Sequence, residues 1–438
     1  MNRRSHDALA STPSLPPQPE PGVPGVSNGR RWALVGLLGF AAMINYLDRA
    51  TLSVSLPLIS TDLSLDPTAK GVVLSAFFWS YALLQVPVGL LVDVWSLRWL
   101  YAGAFALWSV ACGLTGAVGG LAALILVRII LGVGESVYLP GSVKLISTLF
   151  PSRHRGLPNG VLDSGTRLGL ALGAPLVAWL TVRYGWRTMF FLVGFLALVW
   201  LLPWLLSFPS PFPNPSAAPP SPDATVHRPS SWKPTMDRNL LGCCLGFFCY
   251  GYYQYLLVTW LPDYFVRVRH FTLLEAGAYA SLTYLVWSIS APLGGWISDR
   301  LLRGGWNETR VRKGVLSVAF STGLFLIPAA LVAKATSAVP LVAVASLVGG
   351  STANLLATFQ CCAPRGQVGA WMGIGNFIGN LGGVLSPLLT GILISRTGSY
   401  FPGFALAPLI LIAGLLSFWF IVGELKPLER TVTCMSQL

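Results

Sequence analysis

Gly89-Leu90-Leu91-Val92-Asp93-Val94-Trp95-Ser96-Leu97-Arg98 closes one long apolar run of this chain, and Gly294-Gly295-Trp296-Ile297-Ser298-Asp299-Arg300 closes another much further on. Each has a glycine, then a helix-terminal aspartate, then an arginine. A single copy reads equally well as a capped helix end before a basic loop. Two copies at equivalent places indicate a chain built from two repeated halves. In such a chain Gly89 and Gly295 let neighbouring helices approach closely, while Asp93, Arg98, Asp299 and Arg300 can pair across a gate that opens and closes.

Working outward from these segments, twelve apolar stretches can be placed, each near the roughly 20 residues that a helix needs to cross the hydrocarbon layer. They cover residues 32–59, 71–92, 98–118, 121–147, 159–181, 188–207, 239–262, 275–297, 314–333, 338–359, 370–395 and 403–423. Apolar types make up 54% of the 438 residues and charged types only 10%, far from the roughly 25% charged of soluble domains. Mean hydropathy is +0.65. The expected fold is therefore an all-α membrane protein, with twelve transmembrane helices in two six-helix halves.

The 29 Lys and Arg residues fix an expected orientation: with both termini on one side, 18 fall on that side, 7 on the other and 4 within spans. Cytoplasmic loops are enriched in Lys and Arg, so both termini are expected to be cytoplasmic. The net charge of +13 then reflects topology and contact with the lipid bilayer, not binding of nucleic acid. Residues 1–29, rich in Pro and Ser, read as a disordered tail, and 425–438 as a second cytoplasmic tail. Between the halves (30–207 and 239–424), residues 208–238 carry seven prolines from Pro209 to Pro222 and read as a semi-extended linker. The seven cysteines show neither a disulfide framework nor the spacing of a metal site. No cofactor is expected, and the protein is expected to act as a monomer.

Seven charges lie inside the spans: Asp48, Glu135 and Asp163, with Arg49, Arg128, Lys144 and Arg167. At roughly 3 kcal/mol each, leaving them unpaired would cost on the order of 20 kcal/mol. Lys144 lies near a span end and is expected to snorkel. The other six need a shared polar cavity. Helical spacing places Arg128, Gly132 and Glu135 on one face of span four, and Asn45 and Arg49 on one face of span one, with Asp48 about 100° away. Tyr81 and Gln85 form a polar stripe on span two, and Asp163, Thr166 and Arg167 one on span five. Gly165, Gly169 and Gly173 form a ridge suited to close helix packing, with Arg167 pointing nearly opposite. Arg167 could contact a ligand or simply pair with Asp163 one turn earlier. Arg128 and Glu135 could likewise be part of a network holding the first half together.

Asn45-Tyr46-Leu47-Asp48-Arg49-Ala50-Thr51-Leu52-Ser53, the fourth-span segment from Arg128 to Glu135, Thr259-Trp260-Leu261-Pro262 and the segment from Asn376 to Gly383 together resemble the anion:cation symporter branch of the major facilitator superfamily. That branch includes carriers of galactonate, glucarate and hexuronates. The resemblance implies that Asp48 and Glu135 are proton sites, that Arg49 helps to bind the substrate, and that Tyr46 and Tyr81 face it. The residues themselves suggest a compatible mechanism. The proton affinity of an acid beside an arginine depends on how far the cavity opens to water. An arginine can hold a carboxylate through two parallel hydrogen bonds, which lysine cannot. Protonation of Asp48 would then free Arg49 for the anion, linking the two fluxes in one direction.

The second half offers hydroxyls and amides instead of charges: Tyr253 and Gln254 in span seven, Asn354 in span ten, and Asn376 and Asn380 in span eleven. Such groups suit a hydroxylated ligand such as a sugar acid. Leu356 stands about where sugar-acid carriers tend to have Trp, and the tyrosines around 252–255 fit an aromatic acid as well. The expected activity is proton-coupled uptake of a small organic anion across a bacterial inner membrane. Exchange or export of an aromatic or dicarboxylic acid is the alternative. An enzyme is not expected, because the four histidines lie outside the spans and form no His-Glu-x-x-His motif.

Overall fold

The computed structural model describes residues 26–65, 67–208, 234–364 and 366–428. Most of the expected tails and the proline-rich segment of the linker lie outside the described residues. Twelve helical spans run in chain order: α1 Asn28–Asp62, α2 Pro67–Val94, α3 Leu97–Ala117, α4 Leu121–Leu149, α5 Gly156–Tyr184, α6 Trp186–Ser207, α7 Arg238–Arg267, α8 Leu273–Arg303, α9 Glu308–Leu331, α10 Ala335–Cys362, α11 Val368–Thr397 and α12 Phe401–Phe420. Eleven are long and apolar enough to cross a membrane. α8, at 31 residues, has the length, but its Ser, Thr and Tyr content makes it less apolar. Its start is fixed by a capping box, in which Thr272 and Glu275 satisfy each other's backbone N–H groups. α9 begins at Glu308, so Arg312 and Lys313 belong to its first turns rather than to the loop where the charge pattern put them.

The contacts repeat between halves. α1 packs on α5 as α7 packs on α11, and α2 on α4 as α8 on α10. The halves meet along α2–α11 and α5–α8, pairs that exchange under the same repeat. α3 and α6 stand at the periphery of the first half, joined by aromatic packing that includes Phe105 on Trp200, with centroids 4.1 Å apart. The residues at both described ends lie at one end of the bundle, called here the terminal end. There Arg30 donates to the carbonyls of Ser207 and Phe208, and Gly423 N–H donates to Asn239.

Close approach by glycine sets the α5 contacts on both sides. A Cβ on Gly165 would lie 1.9 Å from the carbonyl oxygen of Gly39 in α1, and one on Gly169 would lie 2.5 Å from that of Met43. Toward the other half, a Cβ on Gly156 would lie 2.5 Å from the Gly295 carbonyl oxygen, and one on Gly160 2.4 Å from Pro292 Cα. Gly165→Val is expected to force α1 and α5 apart, costing about 3 kcal/mol or more. Gly36→Ala, where nothing lies within 4 Å, should hold stability or raise it by up to about 1 kcal/mol, and melting curves of the two purified variants check the contrast.

α4 loosens at Ser136–Val137, immediately after Glu135. Pro140 is the physical cause: it has no N–H to donate to the Ser136 carbonyl four residues earlier, and its ring crowds that position. The flanking rungs, Ser136 to Gly132 and Gly141 to Val137, are intact at 3.1 and 2.9 Å. The fourth-span acid therefore sits where its helix is weakest.

Candidate functional site

Between the halves lies a small cavity of about 70 Å³, tighter than the roughly 300–1,000 Å³ of most small-ligand sites. The first half lines it with Tyr46, Tyr81, Tyr138, Asp163, Thr166 and Arg167; the second half contributes Tyr250, Gln254, Tyr255, Thr352, Leu356, Asn376 and Asn380. Helical periodicity explains the contribution of α7, because Tyr250, Gly251, Gln254 and Tyr255 recur at i, i+1, i+4 and i+5 and share one face. Tyr253 is on the opposite face, where its hydroxyl donates to the carbonyls of Gly323 and Ala345 inside the second half. It is not a cavity residue. Tyr250 takes that place, and the i, i+4 spacing to Gln254 was the signal that could have identified it.

Arg49 stands beside the cavity. Its guanidinium lies 4.6 Å from the Tyr46 ring centroid, 5.0 Å from Tyr81 and 5.1 Å from Phe77, a three-sided aromatic cage. Its ion-pair partner is Glu135, at 3.4 Å, and Glu135 is fully buried. The expected link between Asp48 and Arg49 is corrected here. Asp48 points the other way round α1, toward Cys112 of α3, whose thiol donates to Oδ1 at 3.5 Å. The roughly 100° separation of adjacent helical residues makes it difficult for both to face one partner. Arg128 is buried against Phe77, 5.3 Å from the ring centroid. Asp48, Glu135 and Arg128 thus form a layer behind the cavity wall.

Arg167 makes both kinds of contact considered for it. It pairs with Asp163 at 3.3 Å and also donates across the bundle to Tyr250 Oη at 3.0 Å and Gln254 Oε1 at 3.1 Å. Its guanidinium lies 4.3 Å from the Trp287 ring centroid. Thr166 meets Tyr138 at 3.1 Å. Asn376 of α11 donates to Gln85 Oε1 at 2.8 Å and to Tyr81 Oη at 3.2 Å. Gln85 therefore reaches the cavity only through Asn376. Asn354 is elsewhere: it accepts from Arg312 and donates to the Gly294 carbonyl, each at 3.4 Å. It belongs to a buried network around Arg312, which also reaches Glu308 and, in the first half, the Ser152 carbonyl; the expected start of span nine at residue 314 puts Arg312 in a loop and hides this network.

The paired terminal-end motifs hold the halves together by a different means from the one expected. Asp93 accepts from the N–H groups of Gly369 and Ala370, at 3.0 and 2.8 Å, and from Lys144 at 2.9 Å. Asp299 accepts from the N–H groups of Gly156 and Leu157, at 2.9 and 2.8 Å. Each carboxylate thus satisfies unpaired first-turn N–H groups of a helix in the opposite half, where the helix dipole also favours a negative charge. Arg98 instead donates to the Leu205 carbonyl, and Arg300 stacks on Trp296. Lys144 is buried against Asp93 rather than snorkelling. A Cβ on Gly89 would lie 2.5 Å from the Gly369 carbonyl oxygen and one on Gly295 2.2 Å from that of Gly156, so both motif glycines sit where backbones touch.

Comparison with known proteins agrees with this architecture. The chain is 29% identical over 431 residues to the "Probable galactarate/D-glucarate transporter GudP" of Bacillus subtilis (strain 168), covering 92% of this chain and 94% of that protein. It is 27% identical over 416 residues to the D-galactonate transporter of Escherichia coli O6:H1, covering 91% and 96%. Among solved structures, the E. coli fucose:proton symporter FucP superposes with a TM-score of 0.69 at 13% identity, covering 90% of this chain and 100% of that one, a likeness of fold alone. The sequence model of the Major Facilitator Superfamily matches residues 38–361. With two six-helix halves around a central cavity and this match over most of its length, the chain is a transporter-type membrane protein that belongs to the Major Facilitator Superfamily.

Proposed function

We propose that this chain couples protons to the uptake of a small organic anion, a sugar acid or related monocarboxylate, by alternating access. The observation that carries the reading is the Arg49–Glu135 pair at 3.4 Å beside an aromatic-walled cavity. Protonating Glu135 removes the charge that holds Arg49, leaving its guanidinium free to bind a carboxylate through parallel hydrogen bonds. Asp48, one layer deeper, exchanges the proton with Glu135, and Arg128 offsets the acid charges. Tyr46, Tyr81, Thr166, Gln254 and Asn376 supply hydroxyl and amide partners for the rest of the ligand, with Gln85 orienting Asn376. The relatives named for galactonate and for galactarate and D-glucarate support an acid sugar as cargo.

The Asp93 and Asp299 contacts close the terminal end, and a change of access requires their release. The basic residues clustered at that end support an inner-membrane protein with cytoplasmic termini. Five tyrosines around the cavity, Tyr46, Tyr81, Tyr138, Tyr250 and Tyr255, favour an aromatic acid as the second reading. Galactonate, galactarate and benzoate compared in thermal-shift titrations at acidic and neutral pH test the assignment, since a ligand of the folded state raises the melting temperature by mass action. Stabilisation by a hydroxylated acid, stronger at acidic pH, is expected. Stabilisation by uncharged compounds alone would overturn the anion reading.

Arg167→Ala removes the cross-bundle bonds to Tyr250 and Gln254 together with the Asp163 partner. If Arg167 contacts the anion, ligand affinity falls about tenfold or more, since hydrogen bonds to charged groups contribute about 1.5–3 kcal/mol. Measuring ligand affinity alongside melting temperature separates this from a purely structural role, in which stability falls and affinity holds.

A further inference from the structure

On the outer wall of the second half, α8, α9 and α10 enclose a groove open to the membrane. It runs between Leu293, Ile297 and Leu301 on one side and Val311, Val315 and Val318 on the other. On α9 it extends from Arg310 to Thr322, a rise of about 18 Å at 1.5 Å per residue. That is close to one leaflet, half of the roughly 30 Å hydrocarbon core. The groove begins at the terminal end, beneath Trp306, which is 65% exposed, as tryptophans at a membrane interface are.

Two observations indicate what fills it. Gly314 lies on the groove wall, and a Cβ there would meet nothing within 4 Å. A mid-helix glycine costs about 1 kcal/mol relative to alanine, and no packing within the chain accounts for it, unlike Gly294, where a Cβ would lie 2.1 Å from the Gly350 carbonyl oxygen. At the mouth, Arg310 is exposed and makes no ion pair among the described residues, and the adjoining turn presents Arg300 and Arg303, also exposed. Glu308, the acid nearest in sequence, is taken by Arg312 at 2.9 Å. An apolar slot one leaflet deep beneath an unneutralised arginine cluster matches an acyl chain below a phosphate.

We propose that this groove binds one anionic glycerophospholipid from the leaflet at the terminal end, with an acyl chain along Val311, Gly314 and Val318 and its phosphate at Arg310. The site is separate from the central cavity and does not depend on which solute the protein carries.

Native mass spectrometry of the delipidated full chain, titrated with phosphatidylglycerol or phosphatidylcholine of the same acyl composition, tests it. The wild type is expected to bind one phosphatidylglycerol at least tenfold more tightly than phosphatidylcholine. Gly314→Phe fills the groove and should lose that bound lipid; its Cβ meets nothing within 4 Å, so the α9 backbone need not shift, and the melting temperature in detergent should not fall below the wild-type value. Arg310→Gln should keep lipid binding but lose the preference for phosphatidylglycerol. Equal binding of both lipids by the wild type, or an unchanged phosphatidylglycerol affinity in both variants, would overturn the proposal. If Gly314→Phe fails to fold, the Arg310→Gln preference alone decides.

Discussion

Arg49→Lys is expected to reduce anion affinity at least a hundredfold while leaving the fold intact. The guanidinium is held by Glu135 and flanked by three aromatic rings. Lysine preserves the charge and can still reach the aromatic face, so the charge balance of the buried layer is unchanged. What it lacks is the second parallel N–H donor. A charge-assisted hydrogen bond contributes about 1.5–3 kcal/mol, and each 1.4 kcal/mol is about a factor of ten in affinity. Losing one bond and misaligning the other accounts for the predicted effect. Isothermal titration with the acid that gives the largest thermal shift measures it. Wild-type affinity in Arg49→Lys would remove Arg49 from the binding site and leave it a partner of Glu135 only.

Glu135→Gln is expected to abolish proton-driven accumulation while retaining binding and anion exchange. Glutamine has the shape of the protonated acid and can still accept a hydrogen bond from Arg49, but it carries no titratable proton. A gradient of one pH unit supplies about 1.4 kcal/mol per proton, enough for about tenfold accumulation in an electroneutral one-to-one cycle. The variant should therefore bring labelled anion in proteoliposomes only to equal concentrations inside and out, while counterflow with unlabelled anion continues. Wild-type accumulation in the variant would sink the proton role of Glu135 and shift the burden to Asp48. The position of Glu135 bears on this. It lies at the point where Pro140 interrupts the hydrogen-bond ladder of α4, so the segment carrying it can adjust without breaking a full set of rungs.

Much of this architecture was legible in the residues. The number of spans and their division into halves follow from apolar length and the repeated Gly-Asp-Arg segments, because a membrane permits few alternatives. The glycine ridge of α5 was likewise readable, since every-fourth-residue spacing has one meaning on a helix. Partner identity was not. Asp93 meets the N–H groups of residues 369 and 370 from the other half, and backbone groups leave no mark in a sequence. Lys144 looked like a snorkelling residue because position along a span does not reveal which way a side chain turns. Asn354 resembles a ligand-facing amide because its partner Arg312 lies in the first turns of a helix that begins at Glu308, several residues before the apolar run at 314. Tyr253 reads as a cavity residue because it sits in a cluster of aromatics in which only the helical phase distinguishes the cavity side, where Tyr250 lies, from the core.

The α5–α8 junction has a mechanical consequence. Gly156 on Gly295 and Gly160 on Pro292 make it a contact of main chain on main chain, without the interlocked rings that join α3 to α6. Interlocked rings must change rotamer to slide, whereas bare backbones need not. The first is a rivet and the second a plain bearing. Small residues at this seam therefore do more than permit proximity: they let two rigid bodies shear past each other at little energetic cost, held by a few polar contacts such as Asp299 at the terminal end and Ser164 on the Ser288 carbonyl.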